Sequence, residues 1–453
     1  MQSKNEAIAS ARFGTGAAPG QAAPNSPAAL LQGLQMPEPR LGGEIPGLEA
    51  RDALLVDQRK ARKLRATDAA EAKVQEKKVT DRYRAIIMGD RRRLLARAIG
   101  GPSGLRERLA WFWADHFTVA ADGRRRSLLA HDLVETAIRP NITGRFAKLL
   151  REVVQHPAML VYLNQARSVG PNSPVGKRRN AGLNENLARE VLELHTLGVD
   201  AGYTQSDVRE FAELLTGLSV EDGRFAFKPR LAEPGAENVL GAEYGGGKKA
   251  RLRDVNKALR DLAMRPQTAR HLAAKLIRHF VTLTPDESYV EAVADAYLGS
   301  NGDLMATYAA LVDDPRAWEL PLQKAKTPMH FIVSSVRALG VTGQDVMGFK
   351  PRMLNTLAIA PMATMGQPLM RPIGPDGWSE DPTDWITPSG LAARVHWANS
   401  LVQTRGDDRD PRQFLDQTLG VLASPLLQRA VGGAETRHEG LTLVLASPEF
   451  NRC

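Results

Sequence analysis

Residues 182–198, GLNENLAREVLELHTLG, concentrate ionisable side chains in one short stretch of the chain. Three glutamates, one arginine and one histidine lie within seventeen residues. Carboxylates in different surroundings acquire different pKa values, and such groups can divide the roles of general acid and general base. We therefore expect the catalytic residues to be Glu185, Arg189, Glu190, Glu193 and His195.

The same stretch predicts one helix that begins after Asn184, a good N-cap residue, and ends at Gly198. In a regular helix the apolar side chains form one arc, and His195 falls inside it. The charged side chains form the opposite arc. Glu193 and His195 then point in nearly opposite directions, so they are not expected to bind one metal ion together.

Two interpretations of the charged arc remain open. Glu185–Arg189 and Arg189–Glu193 both have i,i+4 spacing, which is typical of weak ion pairs on an exposed helix face. In the functional interpretation, the arc faces a cleft, where loss of solvent shifts the pKa values of the carboxylates. The first interpretation leaves His195 as a hydrogen-bonded core residue, and the second makes it a proton carrier.

A second predicted helix, 104–120, places another histidine on an apolar face. His116 shares that face with Leu109, Phe112, Trp113 and Phe117. Imidazole and carboxylate groups brought together by the fold are typical zinc ligands. The metal hypothesis is therefore a divalent ion held by His116, His156 and a glutamate, although neither histidine belongs to an E-x-x-H pair.

Two loops are candidate binding segments. Residues 164–183 precede the charged helix, where an anion can bind. A nucleotide phosphate loop is rejected, because five residues separate Gly170 from Gly176 where that motif has four. Residues 364–388 carry tryptophans that either stack on sugars or fill a gap between helices. The candidate substrate-binding residues are Asn184, Trp378, Gln367, Trp113 and Tyr203.

The composition is that of an ordinary globular protein, with 43% hydrophobic and 25% charged residues. No apolar run approaches the roughly 18 residues of a membrane span, and residues 1–16 lack the apolar segment of a secretory signal. The single cysteine, Cys453, excludes an intramolecular disulfide. The net charge of +9 comes from basic runs mixed with acids, which favours solvated helix faces over polyanion binding and makes nucleic acid binding unlikely.

Helical periodicity dominates the chain and predicts an all-α fold. Residues 1–45 predict an irregular arm packed on one large helical domain, 46–453. Residues 50–99 predict a pair of charged helices. The best strand signal lies at 222–245, within an insertion at 222–250, and predicts a small hairpin or a long irregular loop. Further helices are predicted at 128–138, 143–155, 205–217, 253–263, 266–281, 287–298, 303–311, 327–339, 351–361, 389–403, 411–420, 423–430 and 435–446.

Several blocks, in this order, resemble the bacterial family known as domain of unknown function 1800. They are ARFGTG, WFWADHF at 111–117, HPAMLVYLNQARSVGPNS at 156–173, the long block at 182–217, TARHLAAKLIRHFV, MGQPL, GPDGW and SPEF. The family pattern covers the candidate residues given above, together with Asp207 and Gly377. Asp115 stands where the pattern usually has Asn, and Leu218 stands where it usually has Trp.

The resemblance implies a mostly helical, often exported bacterial protein, frequently encoded beside a sulfatase-like or phosphatase-like partner. It implies no reaction. Two functions are therefore weighed: an enzyme acting on a carbohydrate or other polymer by acid–base or metal-assisted hydrolysis, and a non-catalytic partner or co-exported chaperone. Both a periplasmic location, reached by co-export, and a cytoplasmic one remain open.

Overall fold

The computed structural model describes residues 3–38, 41–42, 45–101, 104–179, 182–199, 201–406 and 409–453. It confirms the all-α class, because the strands described there form only two small hairpins. Among these residues, no helix combines the length and the apolar character needed to cross a bilayer.

The predicted helices are found, mostly within a few residues of their expected ends. The α-helices in the first 200 residues are Lys4–Ile8, Pro27–Gln35, Leu48–Leu64, Ala69–Gly100, Gly104–His116, Gly123–Leu133, Phe146–Val154, Pro157–Tyr162, Gly176–Arg179 and Asn186–Glu190. The later ones are Gln205–Leu214, Leu252–Ala263, Pro266–Phe280, Glu287–Gly299, Leu304–Asp313, Arg316–Glu319, Pro328–Ala338, Gly343–Gly348, Pro351–Leu354, Ala360–Thr364, Pro382–Trp385, Pro388–Arg405, Pro411–Thr418, Pro425–Gly432, Arg437–Ala446 and Pro448–Asn451. Wider π-helical turns occupy Ala9–Phe13, Val134–Ile138, Val191–Thr196 and Asn355–Ile359, and short 3₁₀ turns occupy Arg139–Asn141, Gln165–Arg167 and Gly420–Leu422.

The strand insertion contains two antiparallel hairpins where the sequence predicted one hairpin or a long irregular loop. Strand β1, Leu218–Glu221, pairs with β2, Arg224–Phe227. Strand β3, Gly235–Val239, pairs with β4, Ala242–Gly247. Both turns are two residues long with positive φ at each residue, at 222–223 and at 240–241, as tight hairpins require.

The helix predicted at 184–198 is not regular, which corrects that expectation. It is α-helical only over Asn186–Glu190 and continues as the wider π-helical turn Val191–Thr196. Asn184 lies just before it, and its Oδ1 accepts from the backbone N–H of Asn186 at 3.0 Å. The apolar arc is buried as predicted, and His195 lies in it.

Two large hydrophobic clusters and a small third one form the core of the described residues, and the Gly104–His116 helix lies between the two large clusters. Phe112 and Trp113 of this helix belong to the first cluster, which also contains Phe13 from the N-terminal segment. Trp111, on another side of the helix, packs against the second cluster, which is built mainly from residues 329–450. This helix therefore presents different side chains to each half of the core.

Candidate active site

The candidate site is a cavity of about 140 Å³ where the two hydrophobic clusters meet. Most of its lining is apolar, with contributions from Val119 and Leu133 of the first cluster and from Met329 and Met362 of the second. Concave, mainly apolar pockets with a few polar groups are typical ligand sites.

One stripe of the Gly104–His116 helix supplies three of these groups. Arg108, Trp111 and Asp115 follow at i, i+3 and i+7, so they lie on one side of the helix, and all three line the cavity. His116 lies on the opposite, buried side among aromatic rings of the first cluster. The polar stripe was not predicted from the sequence, in which the apolar side of this helix carries the stronger periodic pattern.

Asp115 is held by the loop that contains Trp378. The backbone N–H of Trp378 donates to Oδ1 of Asp115 at 2.8 Å. Burial raises the pKa of Asp115 to about 7, the hydrogen bond from Trp378 opposes this rise, and the negative charge of Glu380 adds to it. Near neutral pH, this carboxyl group is therefore a mixture of protonated and ionised forms.

Glu380, also in the cavity lining, has the opposite character. His279 Nδ1–H donates to its Oε1 at 2.6 Å, and Lys324 Nζ donates to its Oε2 at 2.5 Å. Burial opposes ionisation, but these two partners hold the pKa of Glu380 well below its usual range. The cavity therefore contains one carboxyl group near its midpoint of titration and one fixed carboxylate.

His279 connects Glu380 to Arg108. Its Nε2 lies 3.4 Å from NH2 of Arg108, which can only donate, so Nε2 accepts and Nδ1 carries the hydrogen. Burial lowers the pKa of His279, and the positive charge of Arg108 acts in the same direction. The charge of Glu380 and its hydrogen bond oppose this lowering of the pKa, and both ring nitrogens of His279 are engaged by protein groups.

A cluster of three imidazoles lies behind Asp115. The ring of His116 lies 5.9 Å from that of His195 and 6.3 Å from that of His271, measured between ring centres. Burial lowers the pKa of His195 to about 3 and of His271 to about 4, and the charge of Lys275 contributes to both shifts. These histidines are neutral at pH 7, so His195 cannot act there as a cationic acid.

The charged arc of 182–198 lies outside the cavity lining. Arg189 donates to Glu193 at 3.1 Å and to Glu185 at 3.4 Å, and all three side chains are partly exposed. Glu190 differs, because burial raises its pKa to about 7, with the charges of Glu193 and Asp376 adding to the rise. The geometry of this arc matches the ion-pair interpretation, with Glu190 as the exception.

The five predicted substrate-binding residues are divided by the structure. Trp378 and Gln367 line the cavity, and Gln367 Oε1 also accepts from the backbone N–H of Met329. The others serve local structure: Trp113 Nε1 donates to Tyr308 Oη at 2.7 Å, Tyr203 Oη donates to the carbonyl of Val199 at 3.0 Å, and Asn184 Nδ2 donates to the carbonyl of Leu163 at 2.8 Å.

His116 and His156 do not form the expected metal site. Nδ1 of His156 accepts from the backbone N–H of Ala158, and Nε2 lies 3.2 Å from Oδ2 of Asp132, so both ring nitrogens have protein partners. Among the described residues, three other side chains could hold a metal ion. The carboxylate oxygens of Glu210, Glu213 and Glu237 lie within 4.8 Å of one another.

Fold and cavity together define a mostly α-helical protein with a partly buried site of carboxyl, histidine and cationic side chains. The chain belongs to the family described as protein of unknown function DUF1800, whose model matches residues 8–452. No curated protein and no solved structure matches it.

Proposed function

We propose that the protein is an enzyme that transfers a proton to or from a small, mainly apolar substrate in this cavity. The observation that carries the proposal is the pair Asp115 and Glu380, two carboxyl groups in one cavity whose surroundings separate their pKa values. Such separation is a recurring feature of acid–base sites.

Asp115 is the proposed proton donor and acceptor, because a group that titrates near the working pH exchanges protons most effectively. Glu380 provides a fixed negative charge that stabilises positive charge developing on the substrate. Lys324 and His279 are positioning residues, since they contact Glu380 through hydrogen bonds. The backbone of Trp378 positions Asp115 in the same way.

The lining of the cavity bears on the class of substrate. Carbohydrates carry many hydroxyl groups that require partners, whereas this cavity offers mainly apolar side chains such as Leu133 and Met362. We therefore expect the substrate to be a small apolar molecule, or the apolar end of a larger one. A carbohydrate or other polymer, which the sequence suggested, fits this lining less well. The non-catalytic partner hypothesis differs in requiring no proton exchange at Asp115.

The first test measures the pKa of Asp115 directly by ¹³C NMR of labelled aspartate carboxyl carbons, with Asp115→Asn to assign the signal. We expect titration near pH 7. An ordinary value of about 4 would contradict the proposal.

The second test is catalytic and uses a panel of p-nitrophenyl esters, ethers and glycosides. Asp115→Asn keeps an oxygen that accepts from Trp378 but cannot exchange a proton. We expect it to lower turnover of any substrate found by about 10²–10⁴-fold. Asp122→Asn, at a partly exposed ion pair with Arg126, is the matched control and should keep full activity.

A further inference from the structure

Arg108 is a buried cation without a carboxylate partner. Arg108 is only 3% exposed. No Asp or Glu oxygen of the described residues lies within 4.0 Å of its guanidinium nitrogens. Its NH1 donates instead to His330 Nδ1 at 3.2 Å and to the backbone carbonyl of Arg12 at 3.2 Å. A buried cation without a direct ion pair is costly, so an anion bound in contact with Arg108 would stabilise this position.

Arg108 also has a free hydrogen-bond donor. Its guanidinium group forms hydrogen bonds through NH1 and NH2, and its Nε–H forms none with the described residues. One helical turn further on, Nε1 of Trp111 is buried and has no partner among the described residues. Both residues line the cavity. Two adjacent donors with unused hydrogens are thus available to a ligand on the same side of one helix.

The other cations of the lining are already neutralised. Lys324 donates to Glu380, and Arg139 forms ion pairs with Glu107 and Glu135. Arg108 is therefore the cation of the lining that has no Asp or Glu oxygen within 4.0 Å among the described residues, and Glu380 acts on its charge only from a greater distance. Glu380 and Asp115 lie in the same lining, and they disfavour a second negative charge on a ligand.

We propose that the ligand of this cavity is an apolar monocarboxylate whose carboxylate group binds Arg108 and the indole N–H of Trp111. This proposal rests on the proposed function and names the substrate class for the same site. Asp115 lies seven residues further along the helix than Arg108, which corresponds to about 10 Å of helix rise. The apolar body then extends along the methionine and leucine side chains toward Asp115, where the reacting atom lies.

The test compares acids with their amides in binding to the full-length protein. Isothermal titration calorimetry at pH 6 would measure butanoate, hexanoate, octanoate and phenylacetate against the matching amides, with octyl phosphate as a dianion. We expect the best-binding acid to bind at least tenfold more tightly than its amide and than octyl phosphate. An amide that binds as tightly as its acid, or no binding by any member, overturns the proposal, and tighter binding of octyl phosphate overturns the choice of a carboxylate.

Variants assign the preference to Arg108. Arg108→Met should abolish the difference between acid and amide. The matched control is Arg394→Met, because Arg394 is equally buried, donates to Asn451 Oδ1 and the carbonyl of Lys326, and does not line the cavity. If Arg108→Met does not fold, Trp111→Phe should still reduce acid binding several-fold and leave amide binding unchanged. Equal acid preference in wild type and Trp111→Phe would contradict the role of the indole.

Failure of this inference is distinguishable from failure of the proposed function. Asp115→Asn should retain the preference for acids, since its amide does not contact Arg108. An acid preference together with an ordinary pKa of Asp115 would remove the proton-transfer role alone. Titration of Asp115 near pH 7 without an acid preference would remove the carboxylate subsite alone.

Discussion

The backbone of Gly377 lies directly against the carboxyl group of Asp115. A Cβ atom on Gly377 would come within 2.6 Å of Oδ1 and within 2.7 Å of Oδ2, and the residue has φ +89°. The approach lets the next residue, Trp378, donate its backbone N–H to Oδ1. A side chain at residue 377 would therefore separate the loop from the group that we propose to exchange protons.

Gly377→Ala tests this contact. We expect a loss of about 1–3 kcal/mol in the free energy of unfolding, from backbone strain and from the clash, and a pKa of Asp115 that moves as its hydrogen bond is lost. Gly366→Ala is the control, because Gly366 has φ +97° but no atom within 4 Å of its added Cβ. Urea denaturation of both variants separates the clash from the strain; equal losses would argue against the close contact.

Glu380→Gln removes the fixed negative charge between His279 and Lys324. We expect it to lower the free energy of unfolding at pH 7 by about 1–2 kcal/mol, a modest value because 35% of the Glu380 side chain is exposed. A lowered pKa means that this stabilisation is present above the ordinary glutamate range and is lost as pH falls below about 4.

Denaturation from pH 3 to 8 would show the wild type and the variant converging in acid. Lys324→Met and the double variant complete the cycle for this pair. Strictly additive losses would mean that Glu380 and Lys324 act independently.

Glu237 makes stability depend on pH in the opposite direction. It is buried, and burial together with hydrogen bonds to Glu210 and Glu213 raises its pKa to about 9. The folded state then binds a proton that the unfolded state releases, so its contribution to stability falls as pH rises from about 4.5 toward 9.

Glu237→Gln should therefore raise the free energy of unfolding at pH 8 by about 1 kcal/mol or more and change little at pH 5. Thermal unfolding across this range measures the difference. Glu243→Gln, an exposed position on the same hairpin, is the control and should follow the wild type. If the stability of Glu237→Gln changed with pH in parallel with that of the wild type, Glu237 would be ionised in the folded protein.

The three glutamates of the charged arc at 182–198 are expected to contribute differently to the stability of the protein. Glu185→Gln and Glu193→Gln each remove one partly exposed ion pair with Arg189 and should cost no more than about 0.5 kcal/mol. Glu190→Gln should stabilise the protein above pH 7, because the buried Oε2 of Glu190 has no hydrogen-bond partner in the described ranges.

Urea denaturation at pH 6 and pH 8 measures all three variants of the arc. Turnover of the p-nitrophenyl panel by the same variants tests whether these glutamates are needed for activity. Loss of turnover in Glu185→Gln or Glu193→Gln, with stability unchanged, would restore these glutamates as the catalytic groups.

Much of the fold could be predicted from local patterns. The Leu252–Ala263 and Pro266–Phe280 helices, for example, end close to their predicted limits, because apolar periodicity and, in the second helix, an N-terminal proline act over a few residues. The π-helical turn at Val191–Thr196 was not predicted, since its wider pitch depends on how the helix packs. The second hairpin was missed because Leu240–Gly241 is a weak turn signal.

The sequence by itself determined the all-α class and the family, because periodicity, capping and motifs are local properties of the chain. Only the tertiary structure decided which chemical groups meet. Asp115 contacts Trp378 across 263 positions, and His279 contacts Glu380 across 101. Their pKa values depend on burial and on these distant neighbours, which no local pattern specifies. The candidate site therefore moved from the helix richest in charge to the cavity where few charges are buried together.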